Sequence, residues 1–282
     1  MNNRRGGTLV RVALLVGLLL FALVPIWLTI VVSLDPSQRL SASSIVPKAV
    51  SFDNYRTVMS GETFPFWRWT INSLVIATTS SVLLVVLCCF GAYAFSRIRF
   101  KGRHATLSLM FAVNTVPPLL SLLALFGLVR ALGDQVSWLG FNSRIPLVVI
   151  YVASGLVVNT WLMKGFFDAL PRDIDEAARL DGANHWQIFV KILLPLARPM
   201  IAVVGVLGFI AFFNDYIIAL TFLKEPDSQT LAVGLNNFIG ANSTQWGFFS
   251  AGAIIASIPV VGVVLWARRH IVDGLTGGST KG

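Results

Sequence analysis

From Val12 to Leu34 the chain runs for 23 residues without a charged side chain. At about 1.5 Å per residue, a helix of that length crosses about 30 Å of hydrocarbon. Further uncharged runs extend from Trp69 to Ser96, Ala105 to Val129, Ile145 to Met163 and Phe248 to Ala267, and a run from Pro199 to Leu223 is interrupted only by Asp215. In lipid every backbone N–H and C=O must be bonded within its own segment, so runs of this length fold as helices. The expectation is an all-α polytopic membrane protein with six transmembrane helices. A signal h-region spans only about 7 to 15 residues, so the first run reads as a retained span.

With 12% charged and 55% apolar residues, the composition excludes an ordinary soluble domain. The net charge of +9 suggests nucleic acid, but the basic residues stand in small groups between apolar runs and form no stripe. Topology explains them better. An N-terminus in the cytoplasm puts 15 Lys and Arg inside and 7 outside, and the flipped arrangement reverses that bias. Both termini and the charged loop 164–198 are therefore expected on the cytoplasmic side of a cell membrane. Trp67, Trp69, Trp138, Trp246 and Trp266 lie at span ends, where an interfacial belt places such rings. Cys88 and Cys89 adjoin each other inside an apolar run and read as packing residues, and the scattered His104, His185 and His270 suggest no metal site.

Within the spans, Pro117 and Pro118 are expected to break the third near Asn114. A carboxylate at a helix centre costs roughly 2.5 to 3.5 kcal/mol, so Asp215 is expected to face a cavity or a partner group. A proton relay and a structural or gate-lining role both remain open for it, although the spans hold no second acid or base to complete a relay. Asn114, Asn214 and Asp215 are the candidate residues of a translocation path. No G-x-x-x-x-G-K-[ST] loop occurs, so energy for transport has to come from a partner or an ion gradient.

Charge is dense in only one stretch, DIDEAARLDGANHWQIFVKILLP from Asp173 to Pro195. Asp173 and Glu176 stand three apart as a capping box does, and Asn184 and Gln187 repeat the spacing, which predicts two helix starts. Gly182 falls where the first helix has to end, in a left-handed turn. Pro195 and Pro199 are expected to bend the chain into the next apolar run.

These residues resemble a known family. Glu176, Ala177, Ala178, Gly182, Ile192, Leu194 and Pro195 reproduce the EAA---G---------I-LP signature of binding-protein-dependent ABC importer permeases without a departure. AYAFSRIRFKGR at Ala92 to Arg103, MKGFFDALP at Met163 to Pro171, TLAVGLNNF at Thr230 to Phe238 and the ending GLTGGSTKG further resemble the smaller membrane subunit of maltose and maltodextrin importers; that family's ending differs at Ser279 and Thr280.

The resemblance implies a type I ABC importer permease (MetI-like) fold with a permease domain over residues 69–268, an N-terminal span and extracytoplasmic loop over 1–68, and a tail over 269–282. It implies that Asp173, Glu176, Ala177, Ala178, Asp181, Gly182, Ile192 and Pro195 form a coupling loop docked on a separate ATPase. Gly277, Gly278, Lys281 and Gly282 would run to that ATPase, and Thr230, Leu231, Gly234 and Asn236 would lie in a loop facing a solute-binding protein. The implied partners are a second permease subunit, an ATPase dimer and the binding protein. This chain binds no cofactor on that reading, since ATP and Mg belong to the ATPase. The implied cargo is a sugar such as maltose, maltodextrin or trehalose; another sugar, a polyol or a glycerophosphate is the alternative, and an ion-coupled secondary transporter is a different class.

Overall fold

A computed structural model describes residues 2–37, 49–240 and 244–276. Among them the secondary structure is helical apart from an isolated antiparallel bridge between Ile239 and Thr244. The order is α1 (Asn2–Ser33), α2 (Asp53–Ser60), α3 (Phe66–Arg97), α4 (Arg103–Asn114), α5 (Pro118–Gln135), a 3-10 turn at Ser137–Leu139 and α6 (Arg144–Ala169). There follow α7 (Asp173–Leu180), α8 (His185–Gln187), a π-helical stretch at Ile188–Leu193 and α9 (Leu194–Leu196). The last described elements are α10 (Arg198–Asn214), α11 (Ile217–Phe222), α12 (Leu231–Asn236) and α13 (Trp246–Thr276).

Four stretches are each long and apolar enough to cross a membrane: Arg11–Ser33, Phe66–Arg97, Arg144–Ala169 and Trp246–Arg268. A fifth candidate is the pair His185–Leu196 and Arg198–Asn214, bent by 74° at Ala197, where Pro195 and Pro199 were expected to turn the chain. The third apolar run is divided as expected, with Thr115 to Pro117 separating α4 from α5. The fifth run, expected to be one span from Pro199 to Leu223, is divided as well. Asp215 takes extended angles (φ −66°, ψ 129°) between α10 and α11, because its carboxylate bonds the backbone of the next helix as well as a distant hydroxyl.

The described residues fall into two compact units. The first comprises Met1–Trp67 and Gly234–Ile258. In it the buried Asn54 of α2 donates to the carbonyls of Ser33 and Asp35, both at 2.9 Å, and Tyr55 meets the Ser33 hydroxyl at 2.8 Å. Phe64 stands edge-on to Phe238 at 4.6 Å between ring centres.

The second unit comprises Arg68–Val233 and Pro259–Gly282. Here α3, α6 and α10 meet around the fully buried Leu84. A Cβ on Gly155 would stand 3.2 Å from a Leu84 methyl, and one on Gly208 3.1 Å, so both glycines let helices close on that side chain. Trp69 is 1% exposed and donates its indole N–H to the Pro226 carbonyl at 2.8 Å. It is therefore a packing residue and not part of an interfacial belt, since the loop around Pro226 folds over it.

Candidate coupling site

The stretch Asp173 to Pro195 forms two helices joined by a tight turn. Gly182 has φ of 83°. The Ala183 N–H donates to the Ala178 carbonyl at 2.9 Å and the Gly182 N–H to the Arg179 carbonyl at 3.0 Å, which is the Schellman pair that closes a helix on a left-handed residue. Two residues after Gly182, Asn184 caps the next helix: its side chain accepts from the Gln187 N–H at 2.9 Å, while the Gln187 side chain accepts from the Asn184 N–H at 2.9 Å.

The first helix start differs from expectation. Asp173 makes no cap; Arg172 precedes the helix with helical angles (φ −70°, ψ −21°), and its carbonyl accepts from the N–H groups of Asp175 and Glu176. Pro171 explains the shift, because its ring fixes φ in the helical range and starts the turn before Asp173 arrives. Asp173, Asp175 and Glu176 then share the first turn, where their charges favour the positive end of the helix dipole.

The insert is sided. Asp175 and Ala178 turn inward, whereas Asp173, Glu176, Ala177, Asp181 and Gly182 are exposed and Leu180 is 90% exposed. The inward face packs on the ends of α3 and α6: Ala178, Ile188, Phe189 and Leu193 join Cys89, Ala92, Tyr93, Met163 and Phe167 in one buried cluster, with Ile192 packed against it. Pro195 is exposed. A widened π turn at Ile188–Leu193 precedes it, where a regular α-helix would set the Pro195 ring against the Lys191 carbonyl.

Polar contacts from the last turns of α3 fix both helices of the insert. The Tyr93 hydroxyl donates to the His185 carbonyl at 3.0 Å. Arg97 Nε lies 2.7 Å from Asp175 Oδ2, with the two side chains 4% and 7% exposed, and its Nη2 donates to the Leu170 carbonyl at 3.0 Å. The Arg97 Nε–H is not aligned on the carboxylate, so charge more than a directed hydrogen bond holds this pair. Beside it the Ser96 hydroxyl donates to Asp168 at 2.6 Å, and Lys164 pairs with the same carboxylate. Tyr93, Arg97 and Asp175 were missed as site residues. The available signal was Asp175 standing three residues before Ala178, on the face that packs inward.

The other candidate residues lie apart. Asp215 accepts from the Tyr151 hydroxyl at 2.8 Å and from the Ala219 N–H at 3.0 Å. Asn214 is exposed and donates to the Ile210 carbonyl of its own helix at 2.9 Å; Asn114 is exposed at the end of α4. Thr230, Leu231 and Gly234 are buried and Asn236 is half-buried, so the first three hold their loop in place and do not present it. Lys224, Glu225, Pro226 and Asp227, just before them in the chain, are exposed. Asn72 donates to the carbonyls of Asp227 and Gln229, both at 2.9 Å, and accepts from Arg144 at 2.6 Å, while Ser73 accepts from the Leu231 N–H at 2.8 Å. Gly277, Gly278, Lys281 and Gly282 lie outside the described residues.

Residues 86–276 match the family model described as binding-protein-dependent transport system inner membrane component. The chain is 39% identical over 263 residues to the galactooligosaccharides transport system permease protein GanQ of Bacillus subtilis (strain 168), covering 92% of this chain and 90% of that protein. It is 41% identical over 220 residues to the maltodextrin transport system permease protein MdxG of the same organism, covering 77% and 76%. In structure it resembles a chain from a bacterial ABC transporter involved in the import of the acidic polysaccharide alginate, with a TM-score of 0.79 at 23% identity over 95% of this chain and 98% of that one.

Proposed function

The chain belongs to the family of binding-protein-dependent transport system inner membrane components, and on that footing we propose that it is one transmembrane subunit of an ATP-driven oligosaccharide importer. The observation that carries this reading is the insert itself. Its inward face is fixed to α3 by Tyr93 and Arg97, while Glu176, Ala177 and Leu180 face outward for a partner. A lever of this kind transmits a push only if it is tied firmly at its base.

On this reading a separate ATPase dimer docks on the exposed face of α7, holds ATP and Mg, and on closing moves the insert together with the ends of α3 and α6. A second permease subunit completes the pathway, and an extracytoplasmic binding protein delivers the sugar. On this reading the insert and both termini face the cytoplasm, a reading supported by the excess of basic residues on that side of the spans. Residues Gly277 to Gly282 would extend along the ATPase. The cargo class follows the galactooligosaccharide and maltodextrin relatives. Asp215 lines or supports the gate and takes no part in a proton relay.

The test is ATP hydrolysis by the reconstituted complex with its binding protein empty or charged in turn with maltose, maltotriose, trehalose, a galactooligosaccharide and a glycerophosphate. Selective stimulation by one sugar identifies the cargo. Uptake driven by an imposed ion gradient, with hydrolysis indifferent to every charged binding protein, would overturn the reading.

A further inference from the structure

The chain passes from α3 to α4 through a turn whose residues from Ile98 to Ala105 include Arg99, Lys101, Arg103 and His104 and no acid. Arg97, just before it, is engaged by Asp175. Among the described residues Arg99, Lys101 and Arg103 make no ion pair. Arg99, Phe100, Gly102, Arg103, His104 and Ala105 line a cavity of about 390 Å³. The Nε of Arg103 is buried and has no acceptor among the described residues, while the guanidinium lies near enough to Asp168 to act on its charge.

Backbone electrostatics add to this charge. The helix α4 starts after Gly102, at φ of 86°, with no side-chain cap and no acid in its first turn. Arg103 and His104 occupy that turn instead, so basic side chains crowd the positive end of the helix dipole. Such an arrangement repels itself, and a bound anion relieves it. The surroundings indicate which anion. Phe100, 40% exposed, lines the cavity, Ile98, 38% exposed, lies two residues before it in the chain, and α4, with the sequence RHATLSLMFAVN, has no buried residue. An apolar helix without buried residues in a membrane protein faces acyl chains or a partner span, and the cavity lies at its charged end.

We propose that this turn binds the phosphate of an anionic phospholipid, with Arg99 and Arg103 on the phosphate oxygens and Ile98 and Phe100 along the first carbons of an acyl chain. The lipid then stands one residue from Arg97, which anchors the coupling insert, so occupancy stiffens the base of the lever. The proposal is independent of which solute the complex carries.

The experiment uses the full chain purified with its partner subunits from membranes containing phosphatidylglycerol. Retained phosphatidylglycerol is measured by mass spectrometry, and affinity by titration into phosphatidylcholine vesicles. Arg99→Gln with Arg103→Gln is expected to lower the apparent affinity roughly thirtyfold, about fivefold for each cation removed near the surface. Arg99→Lys with Arg103→Lys keeps the charge and is expected to retain most of the binding, which separates loss of the site from loss of the fold. Arg56→Gln, an exposed cation remote in sequence from this turn, controls for net charge. Undiminished phosphatidylglycerol in the glutamine variant would overturn the proposal. So would its displacement by inorganic phosphate at equal concentration, which would make the cavity a site for soluble anions.

Discussion

Arg97 and Asp175 form an ion pair at 2.7 Å that is almost wholly withdrawn from water and joins the end of a membrane-spanning helix to the first turn of the insert at residues 173–195. Removing one partner of a buried pair strands the other charge, at a cost of roughly 3 to 5 kcal/mol, whereas an apolar pair of similar volume is often tolerated. Arg97→Gln and Asp175→Asn are each expected to loosen residues 173–187, seen as faster amide exchange there and weaker co-purification of the ATPase. Arg97→Met combined with Asp175→Leu is expected to recover much of the protection. Equal exchange in all three variants and the parent would show that the pair does not hold the insert.

Local chemistry made part of this site legible in the sequence. The Asn184 and Gln187 capping box and the left-handed Gly182 depend on residues a few positions apart, and both form as their spacing predicts. Asp173 was misjudged because Pro171 starts the helical turn early. Contacts over long range were not legible: Arg97 meets Asp175 across the whole of α6, and Thr230 and Leu231 read as loop residues until α3 is seen to cover them. The six apolar runs were readable from charge alone, but the break at Asp215 was not, because its partner Tyr151 lies 64 positions away.

Asp215 uses one carboxylate oxygen to accept from both Tyr151 and the Ala219 N–H. An amide oxygen accepts equally well, so Asp215→Asn is expected to preserve ATP-driven uptake across the pH range. Asp215→Leu removes the acceptor and leaves two donors unpaired, at roughly 1 to 3 kcal/mol for each that stays buried, and is expected to depress uptake and thermal stability together. Loss of uptake in the asparagine variant with assembly intact would restore a proton-carrying role.

The start of the loop after α11 is held by one side chain of the α5–α6 connection. Asn142 Oδ1 accepts from the Lys224 N–H at 2.6 Å, the Glu225 N–H at 3.0 Å and the Ser228 hydroxyl at 3.2 Å, and its own backbone sits at φ of 62°. Asn142→Gly keeps that backbone accessible and removes only the acceptor. Amide exchange at residues 224 and 225 is expected to accelerate about tenfold, a cost of roughly 0.5 to 1.5 kcal/mol per lost bond, and stimulation by the charged binding protein to fall. If exchange is unchanged, the loop is held by Asn72 and Trp69 without Asn142.

Gly182 separates strain from contact at the turn of the insert. A Cβ built there meets nothing within 4 Å, so any penalty for a side chain comes from the backbone at φ of 83° and not from a clash. A β-branched residue is least able to take that conformation, while asparagine takes it at small cost. Gly182→Ile is therefore expected to open the Schellman turn, shift α7 relative to Asn184 and uncouple hydrolysis from uptake, with Gly182→Ala intermediate and Gly182→Asn close to the parent. The ratio of sugar imported to ATP hydrolysed in vesicles measures this directly. A ratio that followed side-chain volume instead, with asparagine worse than alanine, would mean that the position is packed against a partner in the assembled transporter.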